Sequence, residues 1–147
     1  MKLSSMKGYV TVYDFIFTQC GGTCPLMTQS MNAVAKKIPA DEPVRFVSIT
    51  VDPKNDTPAV LQRYGKAAGR DSRWIFLTAD RDTTANLSQQ GFKLAFNDKA
   101  PAGSEAILHS TRFVVADKDG VIRAYHDGTA VESRKNVVRD IEALLEE

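Results

Sequence analysis

The chain has no apolar run long enough to cross a membrane, and its first residues lack the apolar core of a secretory leader, so no targeting segment is expected within it. It has no excess of either charge. Lys and Arg total 19 and Asp and Glu total 18, interspersed to a net +1, which leaves no electrostatic footprint for nucleic acid or an anionic membrane surface. It has only 2 cysteines, too few for a disulfide scaffold, and neither an internal repeat nor a low-complexity segment interrupts it. What remains is ordinary for one soluble domain, residues 1–147: 43% hydrophobic and 25% charged residues build a single core without a disulfide, and a monomer is expected.

Both cysteines fall in one stretch, from Asp14 to Pro25. Val10, Val12, Tyr13, Phe15, Ile16 and Phe17 form an apolar run rich in β-branched and aromatic residues, which reads as a buried strand ending at a polar turn with Gly21 and Gly22. Cys24 and Pro25 then open a helix, because proline presets φ in a first turn where its missing N–H would have had no partner. A cysteine there faces unpaired amides and the positive end of the helix dipole, which favour thiolate over thiol. The four-residue step from Cys20 to Cys24 lets the two sulfurs approach. Such a pair can close a disulfide or chelate one soft metal ion. A purely stabilising bridge is the weaker reading, since so short a loop removes little chain entropy.

The remaining elements follow in order. Leu26, Met27, Met31, Val34 and Ile38 recur at helical spacing over 25–37, with both methionines read as core rather than as thioether ligands. A second strand covers Val44 to Val51 and ends at Asp52-Pro53. Asp56-Thr57-Pro58 is a helix start with Thr57 as N-cap, and Val60, Leu61 and Tyr64 lie on one face of a helix closing near Gly69. A short strand is expected over 74–78, and a helix over 83–90 ended by Gly91. Residues 97–104 form a long loop that reaches His109. Strands over 112–116 and 121–125 flank an Asp117-to-Gly120 turn, and Thr129 with Glu132 reads as a capping box for a last helix burying Val137, Val138, Ile141, Leu144 and Leu145.

Strands separated by helices call for parallel pairing, and the hairpin adds antiparallel strands on one side. Functional groups in such sheets gather beyond the carboxyl ends of the parallel strands, so Cys20 and Asp52 are expected to be neighbours. A lone histidine such as His109 is more often a surface residue, and Asp52 reads equally as a turn cap before Pro53. His126, beside Asp127 and Gly128, reads as structural or solvent-facing. Asp14, a carboxylate inside an apolar strand, calls for a hydrogen-bonded partner.

This order of elements, with a cysteine pair at a helix start, resembles the thioredoxin superfamily. Three motifs narrow it: Phe-Ile-Phe-Thr-x-Cys-x-x-x-Cys-Pro at 15–25, Ser-Ile-Thr-Val-Asp-Pro-x-x-Asp-Thr-Pro at 48–58, and His-Ser-Thr-x-Phe-Val-Val-x-Asp-x-x-Gly at 109–120. Together these are similar to the Sco/SenC family, copper-binding proteins that assist assembly of the copper A site of cytochrome c oxidase. The resemblance implies an α/β, thioredoxin-like fold: a central mixed sheet flanked by helices, with a C-terminal β-hairpin plus helix. It implies copper, Cu(I) or Cu(II), as the bound ion, with Cys20, Cys24 and His109 as ligands and Asp52 beside them. Two thiolates suit Cu(I), and an added imidazole also suits Cu(II). The implied partners are subunit II of cytochrome c oxidase or another copper-site protein, and an upstream copper donor. The implied location is the periplasm or the outer face of a bacterial cytoplasmic membrane, ahead of the mitochondrial intermembrane space. That location rests on an anchor ahead of the first strand that this chain does not carry, as if the chain were a trimmed soluble form.

Gly21 stands where the family commonly has proline, which raises the entropic cost of fixing both thiolates. Two further chemistries use the same cysteines. A thiol-disulfide oxidoreductase would reduce the recipient's copper-site cysteines through Cys20 and Cys24 and would not need His109. A peroxidase resembling peroxiredoxin would use Cys24, but the threonine expected three residues earlier is Gly21 here.

Overall fold

A computed structural model describes residues 6–18, 23–87, 92 and 111–147, with the backbone alone described at Thr23, Cys24 and Arg81. The elements run β1 (Val10–Ile16), α1 (Thr23–Lys37), β2 (Val44–Thr50), α2 (Pro58–Ala67), β3 (Trp74–Leu77), α3 (Arg81–Asn86), β4 (Arg112–Ala116), β5 (Ile122–Asp127) and α4 (Ser133–Leu145). The sheet order is β3-β2-β1-β4-β5. β1, β2 and β3 are parallel, while β4 and β5 are antiparallel, as the alternation of strands and helices followed by a hairpin predicts.

β1 is central and buried at every position. Its alternation splits the core. Val10 and Val12 pack with Met27, Met31, Val34 and Ile38 of the α1 segment and with Val137, Ile141 and Leu144 of α4. Tyr13, Phe15 and Phe17 pack on the other side with Val47, Ile49, Ala85 of α3 and Phe92. Both methionines are fully buried, as read from their spacing. Leu26 departs from that reading, being 48% exposed. The stripe that meets the sheet runs through 27, 31, 34, 35 and 38, and a residue one position earlier is rotated about 100° away from it.

Side chains from the rest of the chain fix where α1 lies. Buried Arg73 donates from Nη2 to the carbonyls of Ala35 and Ile38 and from Nη1 to that of Pro39, satisfying acceptors left over where α1 ends. Arg134 Nε of α4 donates to Ser30 Oγ at 2.9 Å, and Thr28 Oγ1 lies 2.9 Å from the Tyr64 hydroxyl of α2.

Thr57 caps α2 as expected, its Oγ1 accepting from the Val60 amide at 3.3 Å. The 117–120 turn also forms, with Gly120 at φ 83° and Asp117 Oδ1 accepting from the Asp119 and Val121 amides. Two expectations are corrected. α3 starts at Arg81, because Asp80 is its N-cap and accepts from the Thr83 amide at 2.8 Å. Thr129 does not cap α4; its hydroxyl and amide both donate to Asp127 Oδ1, holding it in the preceding turn, and the helix opens at Ser133 with no side-chain cap. Gly91, the 97–104 loop, Cys20, Gly21, Gly22 and His109 lie outside the described residues.

Candidate metal and thiol centre

The parallel pairing of β1 with β2 brings their carboxyl ends together. Ile16 sits opposite Thr50, and the Val51 amide donates to the Ile16 carbonyl at 2.8 Å. β1 therefore delivers the chain toward Cys20 beside the point where β2 delivers it toward Asp52. α1 begins at Thr23, which makes Cys24 its second residue and Pro25 its third. The helix start expected at Cys24 is present in the backbone, where amides without intrahelical partners favour an ionised thiol.

Asp52 is buried, at 2% exposure, and organises the turn after β2. Its amide donates to Thr50 Oγ1 at 3.0 Å, its Oδ2 accepts from Asn55 Nδ2 at 2.9 Å, and its carbonyl accepts from the Asn55 and Asp56 amides. The turn-capping role read for Asp52 is thus met in full.

Sequence reasoning took Asp56 only as part of a helix start, and its larger role was missed. It is fully buried. Its carboxylate accepts from the Thr18 amide at 3.0 Å, from Thr18 Oγ1 at 2.5 Å and from Thr50 Oγ1 at 2.6 Å. One side chain thereby joins the segment entering Cys20 to the segment entering Asp52. The available signal was the pair of hydroxyl residues, Thr18 just past β1 and Thr50 at the end of β2, since hydroxyls drawn into the fold call for polar partners.

Asp14 occupies the middle of β1 and, by alternation, the α1 side of the sheet. Ser48 Oγ donates to its Oδ1 at 2.5 Å and in turn accepts from Trp74 Nε1 at 3.0 Å. Its Oδ2 is buried with no hydrogen-bond partner among the described residues. The expectation of a satisfied carboxylate is met at one oxygen and not at the other. Burial pushes the Asp14 carboxyl up to about 7, with the Ser48 hydroxyl opposing that shift.

His126 fulfils the structural reading: its Nε2 lies 2.6 Å from Asp140 Oδ2, tying β5 to α4. Among the described residues, no three His, Cys, Asp or Glu side chains gather as a metal-ligating group. The carboxylates of Asp52 and Asp56 accept their hydrogen bonds within the fold, which fits an orienting role better than direct ligation of a soft ion. No helix among the described residues is long and apolar enough to cross a membrane.

The SCO1/SenC family model matches residues 1–146. A Bacillus subtilis SCO1 protein homolog is 30% identical over 146 residues, covering 97% of this chain and 75% of that protein. The structure of BsSco, described as having a disulfide switch and as a member of the Sco family of cytochrome c oxidase assembly proteins, superposes with a TM-score of 0.84 at 30% identity. It covers 97% of this chain and 84% of that one. Bradyrhizobium japonicum ScoI, solved with copper bound, shares the fold at a TM-score of 0.71 and 23% identity, covering 96% of this chain and 88% of that one. The match along nearly the whole length, on a five-stranded mixed sheet with a cysteine opening its first helix, means that this chain belongs to the SCO1/SenC family.

Proposed function

We propose that this protein binds one copper ion through Cys20, Cys24 and His109 and delivers it during assembly of the copper A site of cytochrome c oxidase. The observation that carries this reading is the placement of Cys24 in the first turn of α1, the helix that follows β1. Thiolate ligands require deprotonated sulfur, and a helix N-terminus supplies the field that favours it. Two thiolates and an imidazole form a set that accommodates both Cu(I) and Cu(II). Asp52, held rigidly by Thr50 and Asn55, would orient the ligands or balance their charge rather than bind the ion itself. A relative solved with copper bound adds support.

The natural recipient is subunit II of cytochrome c oxidase or another copper-site protein, with an upstream donor loading the chain. The proposed location is outside the bacterial cytoplasm, at the membrane surface. The whole chain acts as one thioredoxin-like domain.

The second reading is thiol-disulfide exchange, in which Cys20 and Cys24 reduce the recipient's copper-site cysteines. The disulfide switch described for BsSco, at 30% identity, favours it. An anaerobic Cu(I) titration of the reduced protein against a competing chelator tests the first reading. One tight equivalent in the parent, lost in Cys24→Ser, is expected. Undiminished binding in Cys24→Ser would refute the ligand set.

A further inference from the structure

Asp56 is a buried carboxylate that accepts three hydrogen bonds, and its partners occupy two separate approaches to the site. Among the described residues no cation pairs with it. Burying an ionised carboxylate is costly unless donors surround it, and apolar residues of similar volume commonly serve stability as well. The fold therefore gains from Asp56 something other than stability alone.

The donors identify what is gained. Two of the three come from Thr18, through its amide and its hydroxyl, two residues ahead of Cys20. The third comes from Thr50, two residues ahead of Asp52. The carboxylate's own position is fixed on both flanks. Its amide donates to the Asp52 carbonyl at 2.9 Å, and α2 starts two residues later, with Thr57 as cap and Pro58 as first residue. Hydrogen bonds to a charged acceptor are stronger and more directional than neutral ones, so the Thr18 backbone is held in one place.

The Cys24 backbone belongs to α1, whose packing and end contacts were described above. Only residues 19–22 intervene between the Thr18 anchor and the helix that carries Cys24. Thr18 is therefore the nearest anchored residue ahead of Cys20 among the described residues. We propose that Asp56 is a positioning residue for the cysteine pair: by fixing Thr18, two residues ahead of Cys20, it raises the effective concentration of one thiol at the other.

The inference deepens the proposed use of the cysteine pair and rests on it, but its test does not need copper. The measured step is oxidation by glutathione disulfide. The two protein thiols form one S–S bond and give up two electrons and two protons, and one glutathione disulfide becomes two glutathione thiols. A better-positioned pair shifts this equilibrium toward the protein disulfide.

Thr18→Val deletes one hydroxyl bond to Asp56 on the Cys20 side, Thr18→Ser restores the hydroxyl, and His126→Ala, which removes the contact between β5 and α4, is the control for lost stability alone. Equilibrium constants in glutathione buffers, with urea denaturation of each reduced protein, give the comparison. Thr18→Val is expected to lower the constant at least about tenfold, equivalent to about 30 mV for a two-electron couple, with Thr18→Ser and His126→Ala within about twofold of the parent. A Thr18→Val constant within about twofold of the parent, or an equal fall in His126→Ala, would overturn the proposal. A shifted constant in a protein that binds no Cu(I) would refute the copper reading and leave the positioning role standing.

Discussion

Replacing Asp14 by Asn isolates the energetic effect of a carboxyl group buried in the centre of the sheet. Asp14 is fully buried, with Ser48 donating to one oxygen and, among the described residues, nothing to the other. Its carboxyl titrates at about 7 in the fold, against 3.8 for the ordinary group. In the unfolded chain the proton leaves near pH 4, while the folded chain keeps it to about pH 7. Between those values the unfolded state binds fewer protons, so stability falls as pH rises through the window and is level above it. At about 1.4 kcal/mol per pH unit, that gap amounts to about 4 kcal/mol. The substituted asparagine keeps the acceptor for Ser48, cannot ionise, and buries an amide at some cost of its own. Urea denaturation of parent and D14N from about pH 4 to about pH 8 should therefore diverge, with D14N gaining on the order of 2–4 kcal/mol relative to the parent across that range. Other titrating groups are common to both proteins and cancel in the difference. Parallel stability curves would refute the burial argument for Asp14.

Four further outcomes follow from local contacts and are read by denaturant unfolding of the reduced protein. Thr57→Ala removes the Oγ1 that accepts from the Val60 amide and should cost about 1 kcal/mol. Gly65→Ala, though a gain in helix propensity, should destabilise by about 1–3 kcal/mol, because the new Cβ would lie 2.8 Å from the ring of Phe76 and 2.7 Å from Arg70 Cδ. Met27→Ala opens a cavity under the first turns of α1 and should cost about 2–5 kcal/mol. His126→Ala and Asp140→Ala should each cost about 1 kcal/mol and their double variant less than the sum, since each removes the same 2.6 Å contact between β5 and α4.

The strands and helices were legible where period and punctuation agreed. β1 and β2 are rich in β-branched and aromatic residues, α2 carries both its cap and its proline, and the α1 segment repeats Met27, Met31, Val34 and Ile38 on one face. Legibility ended where a side chain had two local partners to choose from. Thr129 satisfies the capping-box pattern, yet Asp127, two residues back, offered its hydroxyl a nearer acceptor. Leu26 was counted with the apolar stripe although its neighbour Met27 already occupied the buried position. At the site, the convergence of the two strand ends followed from parallel pairing alone. Asp56 did not, because its partners lie 38 and 6 residues away, and a helix-start motif already accounted for its presence. The partnerless oxygen of Asp14 was equally invisible, since sequence reveals that a polar group is buried but not how many donors reach it.

Ligation by His109 separates copper binding from thiol exchange, because chelation requires the imidazole and exchange does not. The measurement is Cu(I) affinity by anaerobic chelator competition for the parent and His109→Ala, with the glutathione equilibrium of both proteins recorded alongside. Groups that merely orient metal ligands are worth about 10- to 100-fold in affinity, so loss of a ligand should exceed about 100-fold. The expected result is that loss with an unchanged thiol-disulfide equilibrium. Copper affinity that survives in His109→Ala would contradict the ligand set and leave exchange through Cys20 and Cys24 as the chemistry of the site.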